Sequence, residues 1–269
     1  TQSRSSAASD VYKRQDKNYL TIKIAQSDQE LRAAQRLRYR VFVEELGANT
    51  SEKCHRLQLE YDEFDESFEH LILVDEANKD VSENVIGVYR LLAGDVAYKK
   101  KGFYSAVEYD LQKLINSGRK ILELGRSCVN IHHRGGVALY MMWNGLAEYV
   151  IKNKIDVLFG VASFHGTDAN AIAHALSFLH HNHLAPENLQ VRALGKNRIE
   201  MDILPISEVN RMIALKQLPP LIKAYIRLGG FVGCGASLDN DFNTIDVCLV
   251  MDTQRMLDKY KSMYLKGAK

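Results

Sequence analysis

The segment from 121 to 164 constrains the fold more than any other. ILELGRSCVN, beginning at Ile121, reads as a strand. Residues 135–152 follow as a long helix with Leu139, Met142, Trp143, Leu146, Tyr149 and Val150 turned inward. VLFGVASF, residues 157–164, is a continuous apolar run, the pattern of a strand buried on both faces. A strand, a helix and a strand in that order imply a parallel pair joined by a right-handed crossover.

The chain before this unit is built differently. YLTIKIA, residues 19–25, alternates as a first strand, and Ser27 with Glu30 has the spacing of a capping box. A helix follows with Leu31, Ala34, Leu37 and Val41 on one stripe, ending near Gly47. EYDEFDE, residues 60–66, is an acidic turn. HLILVDE, residues 70–76, and NVIGVYRLLA, residues 84–93, make a hairpin. Short links make these strands antiparallel, so the sheet is mixed. A helix over 168–182, mainly helical residues 206–228 started in part by Pro219 and Pro220, and a last strand over 245–251 complete the pattern. The fold class is α/β, with helical additions toward the C-terminus.

SRSSAASDVYKRQ, residues 3–15, resembles translated sequencing-adapter read-through, with a disordered polar tail as the alternative. Residues 1–15 are therefore set aside, and 16–269 are read as one domain. The net charge of +2 makes no demand for nucleic acid. Four cysteines, far apart and without a Cys-x-x-Cys, argue against a disulfide framework or zinc ribbon and fit a reducing, cytoplasmic setting. The longest apolar run, VALYMMW over 137–143, is too short to span a bilayer, and no signal peptide is visible.

The chemistry-bearing residues cluster in ILELGRSCVNIHHR, residues 121–134. GRSCV fails as a nucleophile elbow because Val129 stands where the strained turn needs glycine. Cys128 with His132 or His133 would form a thiolate pair, but a cysteine in such a strand is more often a small buried hydrophobe. GGFVGCG, residues 229–235, has the wrong order for a dinucleotide fingerprint and reads as a turn or bulge. His174, His180, His181 and His183 gather at a helix end with no carboxylate or cysteine spaced to complete a site, so no metal is expected.

The acids and arginines stand out more. Glu60, Asp62 and Asp65 share one turn, Arg90 ends a strand, and Glu123 and Arg126 share another. Spacing alone leaves solvated surface charge open as a reading. Yet Glu123 lies between Leu122 and Leu124 in a strand expected to be central, where an unpaired charge costs several kcal/mol. Alternation puts 123 and 126 on opposite faces, and a bulge near Gly125 would bring them together.

From about residue 31 to 251 the chain resembles the ornithine N-acyltransferases that use acyl carrier protein and make lyso-ornithine lipids. The resemblance is carried by RYRVFVEELGA (38–48), EYDEFDE, HLILVD, GVYRLL (87–92), LELGRSCV (122–129), WNGLAEYV (143–150), FGVASFHGTD (159–168), LPPLIKAYIRLGGFVG and FNTIDVCLV. That family is similar to the acyl-homoserine-lactone synthases, which share the pattern formed here by Arg40 with Phe42, Glu60 with Asp62 and Asp65, Arg90, and Glu123 with Arg126. Both look like members of the GNAT superfamily.

The resemblance implies a GNAT-type mixed sheet, splayed between its fourth and fifth strands, with the donor's pantetheine arm in the notch. It implies no bound cofactor; the acyl-phosphopantetheine of acyl carrier protein is the donor and ornithine the acceptor. Glu123 is then the candidate base, with Arg90 and Arg126 orienting the acidic turn or the acceptor's carboxylate. Arg40, Phe42, Glu60, Asp62, Asp65 and Ser127 would line the acceptor side, the three acids taking its cationic groups. Cys128, Val129, Arg134, Gly135 and Gly136 would line the donor side. Val137 departs from the glycine that coenzyme A-binding acetyltransferases carry in their pyrophosphate loop, which fits a carrier protein with its single phosphodiester. A cytoplasmic protein with peripheral contact at the inner membrane is expected. An acyl-homoserine-lactone synthase-like enzyme, a thioesterase-like hydrolase and a non-catalytic acyl-carrier-binding protein are the alternatives.

Overall fold

The computed structural model describes residues 19–134 and 136–254. The tail over 1–15 and Gly135 lie outside them. The main strands are β1 (Leu20–Ile24), β2 (Glu69–Asp75), β3 (Val85–Ala93), β4 (Ile121–Val129), β5 (Val157–His165), β6 (Ala236–Asp239) and β7 (Thr244–Asp252). The helices that cover them are α1 (Asp28–Arg38), α2 (Glu52–Leu57), α3 (Gly136–Asn153), α4 (Ala173–His183), α5 (Arg211–Gln217) and α6 (Pro220–Arg227). The sheet runs β1-β2-β3-β4-β5-β7-β6, with the short strand Arg198–Ile199 beyond β6. Among these pairings only β4 with β5 is parallel, so the sheet is mixed as expected. α3 makes the crossover.

The β4–β5 ladder stops early. Its three pairs are Ile121↔Val157, Leu122↔Leu158 and Glu123↔Phe159, after which the strands part. β4 continues against β3, and β5 continues against β7 through nine pairs. The sheet therefore opens into a notch between its fourth and fifth strands, as the resemblance implies. A Cβ on Gly160 would stand 2.1 Å from the Leu124 carbonyl oxygen, so only glycine permits this approach where the ladder ends.

Alternation assigns the two faces. Tyr89, Leu91, Leu122, Leu124, Ala162, Phe164, Leu249 and Met251 pack with α3, α4, α5 and α6 in one core. On the other face, Leu92, Ile121, Phe159, Cys248 and Val250 meet Phe103, Tyr109 and Leu114. Ile72, Val74 and Val88 meet Ala33, Leu37 and Val41 there.

Several expectations change in detail. Ser27 Oγ accepts from Glu30 N at 3.2 Å, and the Glu30 carboxylate accepts in return from Gln26 N at 2.8 Å, with the Ser27 backbone N–H as a weaker donor to the same group. The first helix does not run regularly to Gly47: from Tyr39 to Glu45 its winding is that of a π-helix. In α3, Leu139 is 49% exposed, whereas Ala138, Met142 and Leu146 are buried and Trp143, Tyr149 and Val150 pack partly buried against the core as expected. The additions over 206–228 stand between β5 and β7, and the chain returns to the sheet after them. The glycine-rich stretch holds a short strand, Phe231–Val232, paired to β7, and β6 follows it. Among the described residues no helix is long and apolar enough to cross a membrane.

Candidate active site

The notch is occupied by a cavity of about 210 Å³ lined by residues from both faces of the sheet. Leu124, Tyr89, Ala162, Leu249, Leu221 and Tyr225 give its apolar side. Glu123, Arg90, Arg126, Tyr104, Ser163 and Asp246 give its polar side.

Arg126 reaches the polar side because β4 carries one extra residue. Val88 pairs with Cys128 and Arg90 with Gly125, so two steps on β3 match three on β4. Arg126 sits at that bulge with φ +50°, a left-handed conformation unusual for a long side chain. Glu123 and Arg126 thus share a face, yet they do not pair. Tyr104 joins them: its backbone N–H donates to Glu123 Oε2 at 2.8 Å, and its hydroxyl oxygen accepts from Arg126 Nη2 at 3.3 Å.

Glu123 is buried, and Oε1 accepts from both the backbone N–H (2.6 Å) and the hydroxyl of Ser105. Burial pushes its carboxyl above the ordinary range, and the Ser105 and Tyr104 donors offset only part of that rise. The result is a positioned carboxylate more basic than usual at the end of the β4–β5 ladder.

Three arginines meet the acidic turn. Arg38 binds Glu60 and, at 2.8 Å, Asp65. Arg90 Nη1 donates to both oxygens of Asp62 at 2.8 Å and to Asp65 at 2.7 Å. Arg126 donates to Glu60 at 3.1 Å and Asp62 at 3.3 Å. Burial pushes Glu60 upward, but Arg38 and Arg126 outweigh it and hold this carboxyl far below the usual range. The cationic partners of Glu60, Asp62 and Asp65 are thus arginines of the chain itself, a correction to the expectation that these acids await the acceptor's cations. Arg90 keeps Nε and Nη2 without an acceptor among the described residues and lies 4.5 Å from the Phe68 ring centroid.

Arg38 is the member the sequence reading missed, and Arg40 is a correction. Arg38 falls beside the Ala34–Leu37–Val41 stripe and is fully buried, whereas Arg40 points away, 41% exposed, and pairs with Glu83. Phe42 lines the cavity and meets Phe242 edge-on, and Ser127 also lines it. Cys128 does not line it: its side chain packs under α1 with Ala33, Leu37 and Val88. Burial pushes that thiol up to about 12, which leaves no thiolate at neutral pH. Val129 pairs with Gly87 and packs against the helix-covered core. Arg134 is engaged, donating to Val129 O at 3.0 Å and to Glu45, and Gly136 opens α3. His180 and His181 meet Asp202, a carboxylate brought from outside their helix, while His181 Nε2 also contacts Leu204 O at 2.9 Å.

A second acidic group was not visible in sequence. Glu108, Asp239 and Asp246 come from three separate segments, and one carboxylate oxygen from each lies within 4.8 Å of the other two. In register, Ser237 pairs with Asp246 and Asp239 with Thr244, so these four share one face of the β6–β7 ladder.

The acetyltransferase (GNAT) domain model matches residues 37–144. An L-ornithine N(alpha)-acyltransferase of Rhodobacter capsulatus is 51% identical over 246 residues, covering 91% of this chain and 94% of that protein. Those of Agrobacterium fabrum and Brucella abortus are 40% and 41% identical over 248 residues, covering 91% of this chain and 85% and 88% of their own lengths. A solved CoA-dependent acyl-homoserine lactone synthase, BjaI, shares the fold at a TM-score of 0.50 and 15% identity, covering 91% of this chain and 89% of its own. The chain is an acyltransferase with a GNAT domain, and it belongs to the family of L-ornithine N(alpha)-acyltransferases.

Proposed function

We propose that this protein transfers a fatty acyl group, of the 3-hydroxy class, from the thioester of acyl carrier protein to the α-amine of ornithine, giving lyso-ornithine lipid. The observation that carries the reading is the cavity at the notch, lined from both faces of the sheet, apolar on one side and rich in paired charge on the other. An acyl thioester and an amino acid need those two environments, meeting where the strands part. The names of the relatives support ornithine as acceptor.

The mechanism needs a deprotonated amine, a polarised carbonyl and a fixed approach. Glu123, basic and held by Ser105 and Tyr104, takes the ammonium proton through a water. Past Gly125 the β4 edge that faces the notch has no partner strand among the described residues, so its backbone N–H groups are the candidate oxyanion donors. Arg126 and the open Nε–Nη2 edge of Arg90 face the acceptor's carboxylate, which suits a guanidinium fork. The amine nitrogen bonds to the thioester carbon, the carbon–sulfur bond breaks, and the pantetheine thiol leaves with a proton. No acyl-enzyme intermediate is required.

Val137 in place of the phosphate-loop glycine supports carrier protein over coenzyme A. The acylated product partitions toward a bilayer, which supports a cytoplasmic protein working in peripheral contact with the inner membrane. The test supplies labelled ornithine with the same 3-hydroxyacyl chain on carrier protein and on coenzyme A. N-acylornithine formed faster from the carrier protein is the expected result. Equal rates with both donors would remove the donor assignment, and no acylornithine from either would remove the reaction.

A further inference from the structure

The Glu60, Asp62 and Asp65 carboxylates are matched by three arginines, whereas Glu108, Asp239 and Asp246 have no ion-pair partner among the described residues. Asp246 is 4% exposed and lines the cavity, and its Oδ1 meets no hydrogen-bond donor. Glu108 Oε2 is likewise buried without a partner. Asp239 is fixed by its own turn, Oδ1 accepting from Asp241 N at 2.9 Å and Phe242 N at 3.0 Å. The Ser237 hydroxyl bonds to Glu108 and those of Ser163 and Thr244 to Asp246, which offsets only part of the cost of burial, so a cation that arrives with a ligand would relieve the rest.

We propose that Glu108, Asp239 and Asp246 form the subsite for the side-chain ammonium of a diamino acid acceptor. This rests on the acyl-transfer reading of the same cavity and adds what selects the amino acid. Three oxygens within 4.8 Å of one another leave a point no more than about 2.8 Å from each, the reach of an N–H···O bond. An ammonium offers three N–H donors to three acceptors. The subsite also stands beside Arg126: the Arg126 charge acts on both Glu108 and Asp246. A carboxylate and an ammonium at opposite ends of one short amino acid fit that arrangement.

The subsite has a proton signature. Burial, then the neighbouring acids, push Glu108 up to about 8, and burial pushes Asp246 up to about 6. The charged and titratable groups facing them are Arg126 from β4, Tyr104 and Tyr109 from the segment beside Glu108, Cys248 from β7, and Lys196 and Asp241 from the loops of the adjoining outer cavity. Below these values the acids hold protons and bind ammonium poorly; above them they are anions while the ammonium stays charged. The KM for a diamino acid therefore falls from pH 6 to 8 through the subsite.

The test compares ornithine with norvaline, which has the same carbon chain and no side-chain amine. Steady-state kcat and KM are measured for both acceptors with one acyl thioester, in the wild-type protein, Glu108→Gln and Asp239→Asn, each checked by thermal melting. The wild type is expected to favour ornithine strongly. Each variant is expected to raise the ornithine KM by about tenfold to a hundredfold and leave norvaline kinetics unchanged. The ornithine KM should fall between pH 6 and 8 more steeply than that of norvaline. Equal effects on both acceptors would overturn the subsite and leave the acyl-transfer reading standing. Loss of activity on chelation, restored by magnesium or calcium, would also overturn it and assign the three acids to a metal. Acylation of neither amino acid by the wild type would overturn the reading beneath it.

Discussion

Gly160 and Leu124 lie on neighbouring strands at the point where the sheet opens, and a Cβ on Gly160 would stand 2.1 Å from the Leu124 carbonyl oxygen. Backbone approach this close leaves a side chain no room. Gly160→Ala is expected to force the strands apart, to cost about 1–3 kcal/mol of stability as overpacking does, and to slow acyl transfer further than the melting temperature suggests. Thermal melting and initial rates measured together check this. A variant with wild-type melting and rate would mean that the strands open freely here.

Arg38 and Arg40 are two residues apart and should behave differently. Arg38 is buried between Glu60 and Asp65, so Arg38→Ala leaves two buried acids short of a partner and costs about 3–5 kcal/mol. Arg40 pairs with Glu83 while 41% exposed, so Arg40→Ala costs at most about 1 kcal/mol. Urea denaturation midpoints measure both. Similar losses in the two variants would contradict the buried network.

Glu123 and Cys128 offer the corresponding contrast in chemistry. Glu123→Gln is expected to lower kcat by about 10²- to 10⁴-fold and to abolish the acidic limb of the pH–rate profile. An unchanged profile shape with only a raised KM would reduce Glu123 to a support for the turn at Ser105. Cys128→Ala should keep most of its rate, because the thiol is buried beneath α1. An acyl adduct on Cys128, detected by mass spectrometry of the intact protein, would overturn direct transfer.

Stability should depend on pH through two sets of acids with opposite signs. Glu60 and Asp65 have folded pKa values below the unfolded ones, so their contribution is present above about pH 4 and is lost as pH falls through the depressed values. Glu108 and Asp246 are raised, to about 8 and about 6. Their contribution is complete below about pH 4 and is lost as pH rises through those values. Glu108→Gln should therefore flatten the decline in stability between pH 5 and 8 without ligand. Urea midpoints across that range decide it, and an unaltered slope would mean Glu108 titrates normally.

Much of this arrangement was legible in the sequence because it is local. Apolar periodicity marks β4, α3 and β5, and a crossover of one hand follows from chain chirality. Glu123 between two leucines announced a buried carboxylate, and the Glu123–Arg126 spacing called for the bulge that Arg126 makes. Other features depend on what distant segments bring. Arg38 lay beside a visible apolar stripe, yet its partners Glu60 and Asp65 come from a later turn. Nothing in the local pattern of Glu108 indicates Asp239 and Asp246, which arrive through the β6–β7 register. Backbone preference and alternation act over a few residues, so the sequence alone determined the strands, the crossover and the charged side chains. Charge compensation acts through space, and only the tertiary structure decided which acids have arginines and which stand without a cation.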